Sequence, residues 1–186
     1  MLEEIYEEVK DAMARALDAL RRDLSSIRTG RASATLLDGI RIDYYGTPTP
    51  LNQLATVSVP EARLLVIKPY EQGLIGDIEK AVVADPNLGL NPSNDGSIIR
   101  LPIPELTEER RRELTKVARN RSEDAKVSVR QARRDGLDLV DEAKKDGEIS
   151  EDEARHAHDH IQKATDEFIT QVDEINTHKE QEIMEV

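Results

Sequence analysis

Apolar side chains recur at Leu2, Ile5, Val9, Ala12 and Met13, Ala16, Leu20 and Ile27, in steps mostly of three and four. That period lines one stripe of an α-helix over residues 1–29, and Thr29-Gly30 supplies a stop. The rhythm then changes. Ile40, Ile42 and Tyr44 alternate with Arg41, Asp43 and Tyr45, which predicts a half-buried strand. Residues 46–50, a Gly-Thr-Pro-Thr-Pro run, read as a turn, and 56–59 and 64–68 as two further strands. Leu74, Ile78, Ala81 and Val82 give 73–84 a helical spacing, 91–96 carries turn chemistry, and 98–101 is a last short strand. Helical spacing returns over 106–145, with Thr107 as N-cap and Glu108 and Glu109 at the positive end of the helix dipole. After Asp146-Gly147, the capping box Ser150-Glu-Asp-Glu153 opens a third helix. Its stripe is Ala154, Ala157, Ile161, Ala164, Phe168, Val172 and Ile175.

Each of the three long helices has one apolar seam, and none is stable alone in water. A three-helix bundle satisfies all three seams. The segment between the first and second helices holds every one of the eight prolines and the predicted strands. The expected fold class is therefore α+β: an elongated three-helix bundle with an inserted small β/α/β domain. The expected boundaries are 1–30 plus 105–186 for the bundle and 31–104 for the insertion. The chain crosses between them twice, at Gly30-Arg31 and Pro104-Glu105, and a Gly- and Pro-bearing double connection permits a hinge.

Composition narrows the picture. The 186 residues include one Phe and no Trp, so a large globular core is excluded in favour of narrow seams. The absence of Cys removes disulfides, thiolate metal sites and Cys nucleophiles together. Acids at 3, 4, 7 and 8 are unlike a signal peptide, and no run approaches a membrane span, so a soluble cytoplasmic protein is expected.

The net charge of −12 hides an asymmetry. Residues 107–134 are net +5, whereas 135–186 are net −12. Wound at about 100° per residue, Leu114, Ala118, Ala125, Val129, Ala132, Gly136, Leu139, Val140 and Ala143 form the core seam of the second helix. Arg112, Lys116, Arg119, Lys126, Arg130, Arg133 and Arg134 fall together on one flank, and 112, 119, 126 and 133 are spaced by seven. The stripe is roughly 30 Å long at 1.5 Å per residue. Two readings compete: a solvated face whose charges are met by neighbouring acids, or a surface that tracks phosphates, for which the planar Arg fork is suited. Guanidinium groups tied up in internal salt bridges would favour the first. The acidic remainder would repel a polyanion everywhere else, so the second reading implies contact on one face only.

Other chemistry is thin. His156 and His160 share a helix face, a two-ligand metal arrangement without a third ligand; a metal enzyme built on it, and a helical adaptor binding only protein, are the alternatives. No phosphate-cradling glycine loop and no catalytic constellation is present, and neither a cofactor nor a metal is expected.

The stretches Ile27-Arg-Thr-Gly-Arg-Ala-Ser33, Leu36-Leu-Asp-Gly39, Tyr44-Tyr-Gly-Thr-Pro-Thr-Pro-Leu51 and Leu88-Gly-Leu-Asn-Pro92 closely resemble the ribosome recycling factors. So do Leu106-Thr-Glu-Glu-Arg-Arg111, Val129-Arg-Gln-Ala-Arg-Arg-Asp135 and Glu148-Ile-Ser-Glu-Asp152, in the same order. The resemblance implies an L-shaped monomer that is not an enzyme. It implies binding to the post-termination ribosome, contact with ribosomal RNA of the large subunit, and, with elongation factor G and GTP, subunit splitting and release of messenger and transfer RNA. By motif, Arg111, Arg130 and above all Arg133 would carry ribosome binding. The wheel puts Arg130 and Arg133 on the basic stripe but Arg111 near the seam edge. Domain motion would turn about Gly30, Arg31, Pro104, Glu105, Leu106 and Thr107. Gly136 departs from good helix-forming sequence, and marks either close helix packing or a soft point.

Overall fold

A computed structural model describes residues 1–86 and 88–185. In chain order the elements are α1 (Leu2–Ser25), β1 (Arg41–Tyr44), β2 (Thr47–Pro50), α2 (Leu51–Leu54), β3 (Ala55–Glu61) and β4 (Leu64–Pro69). They continue with α3 (Ile75–Ala84), β5 (Ser93–Asn94), β6 (Ile99–Pro102), α4 (Glu108–Lys145) and α5 (Glu151–Met184). Short 3-10 turns occupy Ala34–Leu37 and Gln72–Leu74. The chain divides into two compact units, Met1–Thr29 with Thr107–Val186, and Gly30–Leu106.

In the first unit α1, α4 and α5 pack their seams together. Ile5, Val9, Met13, Leu17, Leu20 and Leu24 of α1 are buried. Leu114, Ala118, Ala125, Val129, Ala132, Val140 and Ala143 of α4 meet them, with Ala154, Ala157, Ile161, Phe168 and Val172 of α5. Small residues at so many α4 positions let the helix axes approach closely. Two polar side chains lie in the seam and are satisfied within it. Ser122 Oγ donates to the Ala118 carbonyl at 2.9 Å and is 3.0 Å from Asn176 Oδ1, and Thr165 Oγ1 donates to the Ile161 carbonyl at 2.8 Å. Leu139, expected in the seam, is 38% exposed. It sits about 60° off the seam centre, where the groove between partners covers a side chain only in part.

Helix α1 ends at Ser25, earlier than its periodicity predicts, because Ser25 and Ser26 hydroxyls take up the Arg22 and Asp23 carbonyls at 2.7 Å each. At the far end of α4, Gly147 has φ +76°. Its N–H and that of Glu148 return to the Lys144 and Ala143 carbonyls, closing the helix with a left-handed cap. Helix α5 then opens on the expected capping box. Ser150 N–H donates to Glu153 Oε2 at 2.7 Å, and Glu153 N–H donates to Ser150 Oγ at 3.2 Å. The backbone hydrogen bond from Ser150 holds the Glu153 carboxyl below its ordinary pKa. A depressed pKa stabilises the fold above the unfolded carboxylate value, and that contribution is lost as pH falls toward the folded value. Glu153→Gln keeps an acceptor but cannot titrate. The melting temperature of the parent should therefore exceed that of the variant at pH 7, with the gap closing in the acid range. A gap that is constant between pH 7 and pH 3 would show that the carboxylate charge contributes nothing.

The second unit is built on two antiparallel sheets, β1-β2 and β3-β4-β6-β5. Residues 47–50 are strand β2 rather than the expected turn; Asp43 faces Pro48 and Arg41 faces Pro50. Proline is tolerated because β2 is an edge strand with no ladder bonds to lose on its outer side. The turn lies one step earlier, at Tyr45 (φ 51°) and Gly46 (φ 83°), both left-handed as a tight two-residue hairpin requires. Within the expected 91–96 turn, Ser93 and Asn94 pair with β6. The reversal follows them, with Asp95 Oδ1 accepting from Ser97 and Ile98 N–H at 2.9 Å each. Ile42, Leu65, Ile67, Ile78, Val82, Ile99 and Leu101 form one core between the sheets and α3.

Candidate nucleic-acid interface

Thr107 starts α4 by accepting Arg110 N–H on Oγ1 at 3.1 Å. From there the helix runs 38 residues without a break, about 57 Å at 1.5 Å per residue, so its outward flank is one continuous face. The seven cations of the expected stripe stand along it, but not alike. Arg112 Nη2 donates to Glu108 Oε1 one turn earlier at 2.8 Å. Arg119 Nε donates across to Glu180 Oε1 of α5 at 2.5 Å. Lys126 Nζ is 2.6 Å from Asp173 of α5 and 3.4 Å from Glu123, and its side chain is only 16% exposed. The hydrogen bond to Glu180 raises the pKa of Arg119, and that to Asp173 raises the pKa of Lys126. Three of the seven are thus in ion pairs with the protein's own acids, so the stripe is not the uniform cationic edge its sequence suggests.

The remaining four differ. Lys116 and Arg130 are exposed and make no hydrogen bond or ion pair among the described residues. Arg134 Nη2 donates to Gln131 Oε1 at 2.7 Å, and Arg133 Nη1 to Gln162 Oε1 at 3.3 Å, so both are held by neutral amides and neither is in an ion pair among the described residues. Arg133 Nε is buried without a partner among the described residues, which leaves its two η nitrogens as the groups that can reach outward. Arg111 stands apart: Nη1 donates to the Met184 and Glu185 carbonyls at 3.1 and 2.7 Å, closing the C-terminal end of α5.

Sequence reasoning missed the α5 partners Asp173, Glu180 and Gln162. A signal was present, since acids at 166, 173 and 180 repeat the seven-residue step of 119, 126 and 133. The hinge candidates Gly30, Arg31, Pro104, Glu105, Leu106 and Thr107 stand at the joints between the two units. Gly30 has φ +77°, and a Cβ there would lie 3.2 Å from Leu106 Cγ. Arg63 Nη1 pairs with Glu105 Oε1 at 3.0 Å. The histidines do not converge. His160 stacks on Tyr6 with centroids 4.0 Å apart, His158 Nε2 is 2.9 Å from Asp141 Oδ1, and His156 is exposed. Among the described residues no group of three His, Asp or Glu side chains is placed to hold a metal, and no helix is long and apolar enough to cross a membrane.

A family model described as Ribosome recycling factor matches residues 20–184. The chain belongs to the ribosome recycling factor family. A recycling factor of Geobacillus kaustophilus is 55% identical over 186 residues, and one of Desulfatibacillum aliphaticivorans is 52% identical over 185; each alignment covers 100% of both chains. A solution structure of a ribosome recycling factor superposes with a TM-score of 0.78 at 39% identity, covering 100% of this chain and 98% of that one. A second recycling-factor structure, from models of the T. thermophilus factor and E. coli elongation factor G bound to the E. coli post-termination complex, gives a TM-score of 0.65 at 43% identity and 100% coverage of both. The recycling-factor fold, a helical bundle with a β/α/β domain, is the one described above.

Proposed function

We propose that this protein binds the post-termination ribosome and, with elongation factor G and GTP, splits the subunits so that messenger and transfer RNA leave. It acts in the cytoplasm as a monomer and catalyses nothing itself; the hydrolysis belongs to its partner. The observation that carries this reading is family membership over the whole chain, alongside a neighbour whose structure is a complex of that kind. The α4 flank supplies the means. Lys116, Arg130, Arg133 and Arg134 keep positive charge available for large-subunit RNA phosphates, Arg133 first among them; Arg112, Arg119 and Lys126 would have to exchange an acid for a phosphate. Arg111 serves the same surface by closing α5 against α4. Gly30, Arg31 and residues 104–107 form the double joint about which the two units turn.

Light scattering of post-termination complexes tests the reading. Splitting should require this protein, elongation factor G and GTP together. Equal splitting with the protein omitted would refute it, and failure to sediment with vacant ribosomes would favour an adaptor that binds protein only.

A further inference from the structure

The acids of α5 and the cations of α4 share one repeat. Asp166, Asp173 and Glu180 run antiparallel to Arg133, Lys126 and Arg119, each set spaced by seven. Two rungs of this ladder close, Arg119 on Glu180 at 2.5 Å and Lys126 on Asp173 at 2.6 Å. The third does not. The same register sets Asp166 against Arg133, yet Asp166 Oδ1 accepts the Gln162 amide N–H at 2.9 Å, while Gln162 Oε1 accepts from Arg133 Nη1 at 3.3 Å. A single neutral amide stands between the two charges and gives each a hydrogen bond.

We propose that Gln162 is a positioning residue that withholds Asp166 from Arg133, so that this rung alone presents an uncompensated guanidinium to RNA, while Asp173 and Glu180 compete with phosphates for Lys126 and Arg119. The proposal rests on the RNA-binding role of the α4 flank. Its physics is charge competition. A phosphate approaching Arg119 or Lys126 must displace a carboxylate already in hydrogen-bond contact and then sit beside it, like charge against like. At Arg133 it meets only a dipole, at a distance that marks a weak bond. The ladder therefore sets how many counterions RNA binding releases, and leaves Arg133 as the one rung whose cation is not already in an ion pair. The full complement of cations on α4 would grip any polyanion; neutralising Arg112, Arg119 and Lys126 confines the grip to a partner that fits the remaining ones.

The test is titration of purified large ribosomal subunits with the full-length protein between 50 and 200 mM salt. Gln162→Ala, at an exposed position, should weaken binding about tenfold as Asp166 swings to Arg133, a loss the size of one charge-assisted hydrogen bond. Gln162→Ala with Asp166→Asn should return affinity to within about twofold of the parent, which loss of packing alone would not do. Asp173→Asn and Glu180→Gln should each tighten binding and steepen the log–log salt slope by about one. A neutral Gln162→Ala, or a double variant as weak as the single, overturns the proposal if Arg133→Glu still weakens binding. If Arg133→Glu has no effect, the RNA-binding reading of the flank itself falls.

Discussion

Gly136→Ala is expected to destabilise the bundle by up to about 2 kcal/mol, although alanine is the better helix former. The propensity term favours the variant by about 1 kcal/mol. Against it stands a Cβ that would lie within clashing distance of Val9 Cγ2 of α1 and 3.4 Å from Ile161 Cδ1 of α5, where all three helices meet. Val9 is 4% exposed and Ile161 1% exposed, so neither can swing into solvent. Val9 is β-branched on a helix, with one strongly preferred rotamer, so it cannot turn aside cheaply. Overpacking of this kind costs about 1–3 kcal/mol, and the clash outweighs the propensity gain. Urea unfolding followed by circular dichroism measures it. Val9→Ala alone should cost about 2 kcal/mol through lost burial, yet in the Gly136→Ala background it should cost far less, because it relieves the clash. A Gly136→Ala variant more stable than the parent would show that the glycine is a soft point in α4 rather than the seat of a close approach.

Arg133→Glu is expected to cut affinity for large ribosomal subunits by about 10–100-fold at 100 mM salt while leaving the fold intact. A hydrogen bond to a charged group contributes about 1.5–3 kcal/mol, and the new carboxylate adds repulsion, so the loss belongs at the upper end. The side chain is half-buried, and its one hydrogen bond among the described residues is the 3.3 Å contact with Gln162, so folding loses little. The log–log salt slope should fall by about one. Neutral replacements set an order: Arg133→Gln should weaken binding more than Arg119→Gln, because Glu180 already offsets the Arg119 charge. Subunit titration across a salt series, with melting curves as a fold control, decides it. Equal losses at the two positions would mean that the salt bridge to Glu180 does not compete with RNA.

The long helices and the strands β1, β3, β4 and β6 are legible because each carries its own period, and period is a property of neighbouring residues. Thr107, Ser150 and Gly147 punctuate α4 and α5 with side chains that act within four residues, so those ends read correctly too. Most of the errors fall where a neighbouring element decides. Prolines 48 and 50 argue for a turn until β1 lies beside them and makes their strand an edge. Leu139 is apolar but stays 38% exposed at the edge of the seam, and Ser122 is polar but finds Asn176 in the seam.

The basic face divides the same way. Sequence alone determined that positive charge gathers on one flank of α4, because helical winding follows from spacing. Glu108 spends the Arg112 charge within α4 itself; only the tertiary structure decided which of the others are spent. Neutralisation depends on what α5 brings within 3–4 Å, and Glu180, Asp173 and Gln162 lie 61, 47 and 29 residues along the chain from the cations they meet. A Coulomb interaction falls with separation in space rather than in sequence, so a charge and its partner become one fact only after the helices have packed.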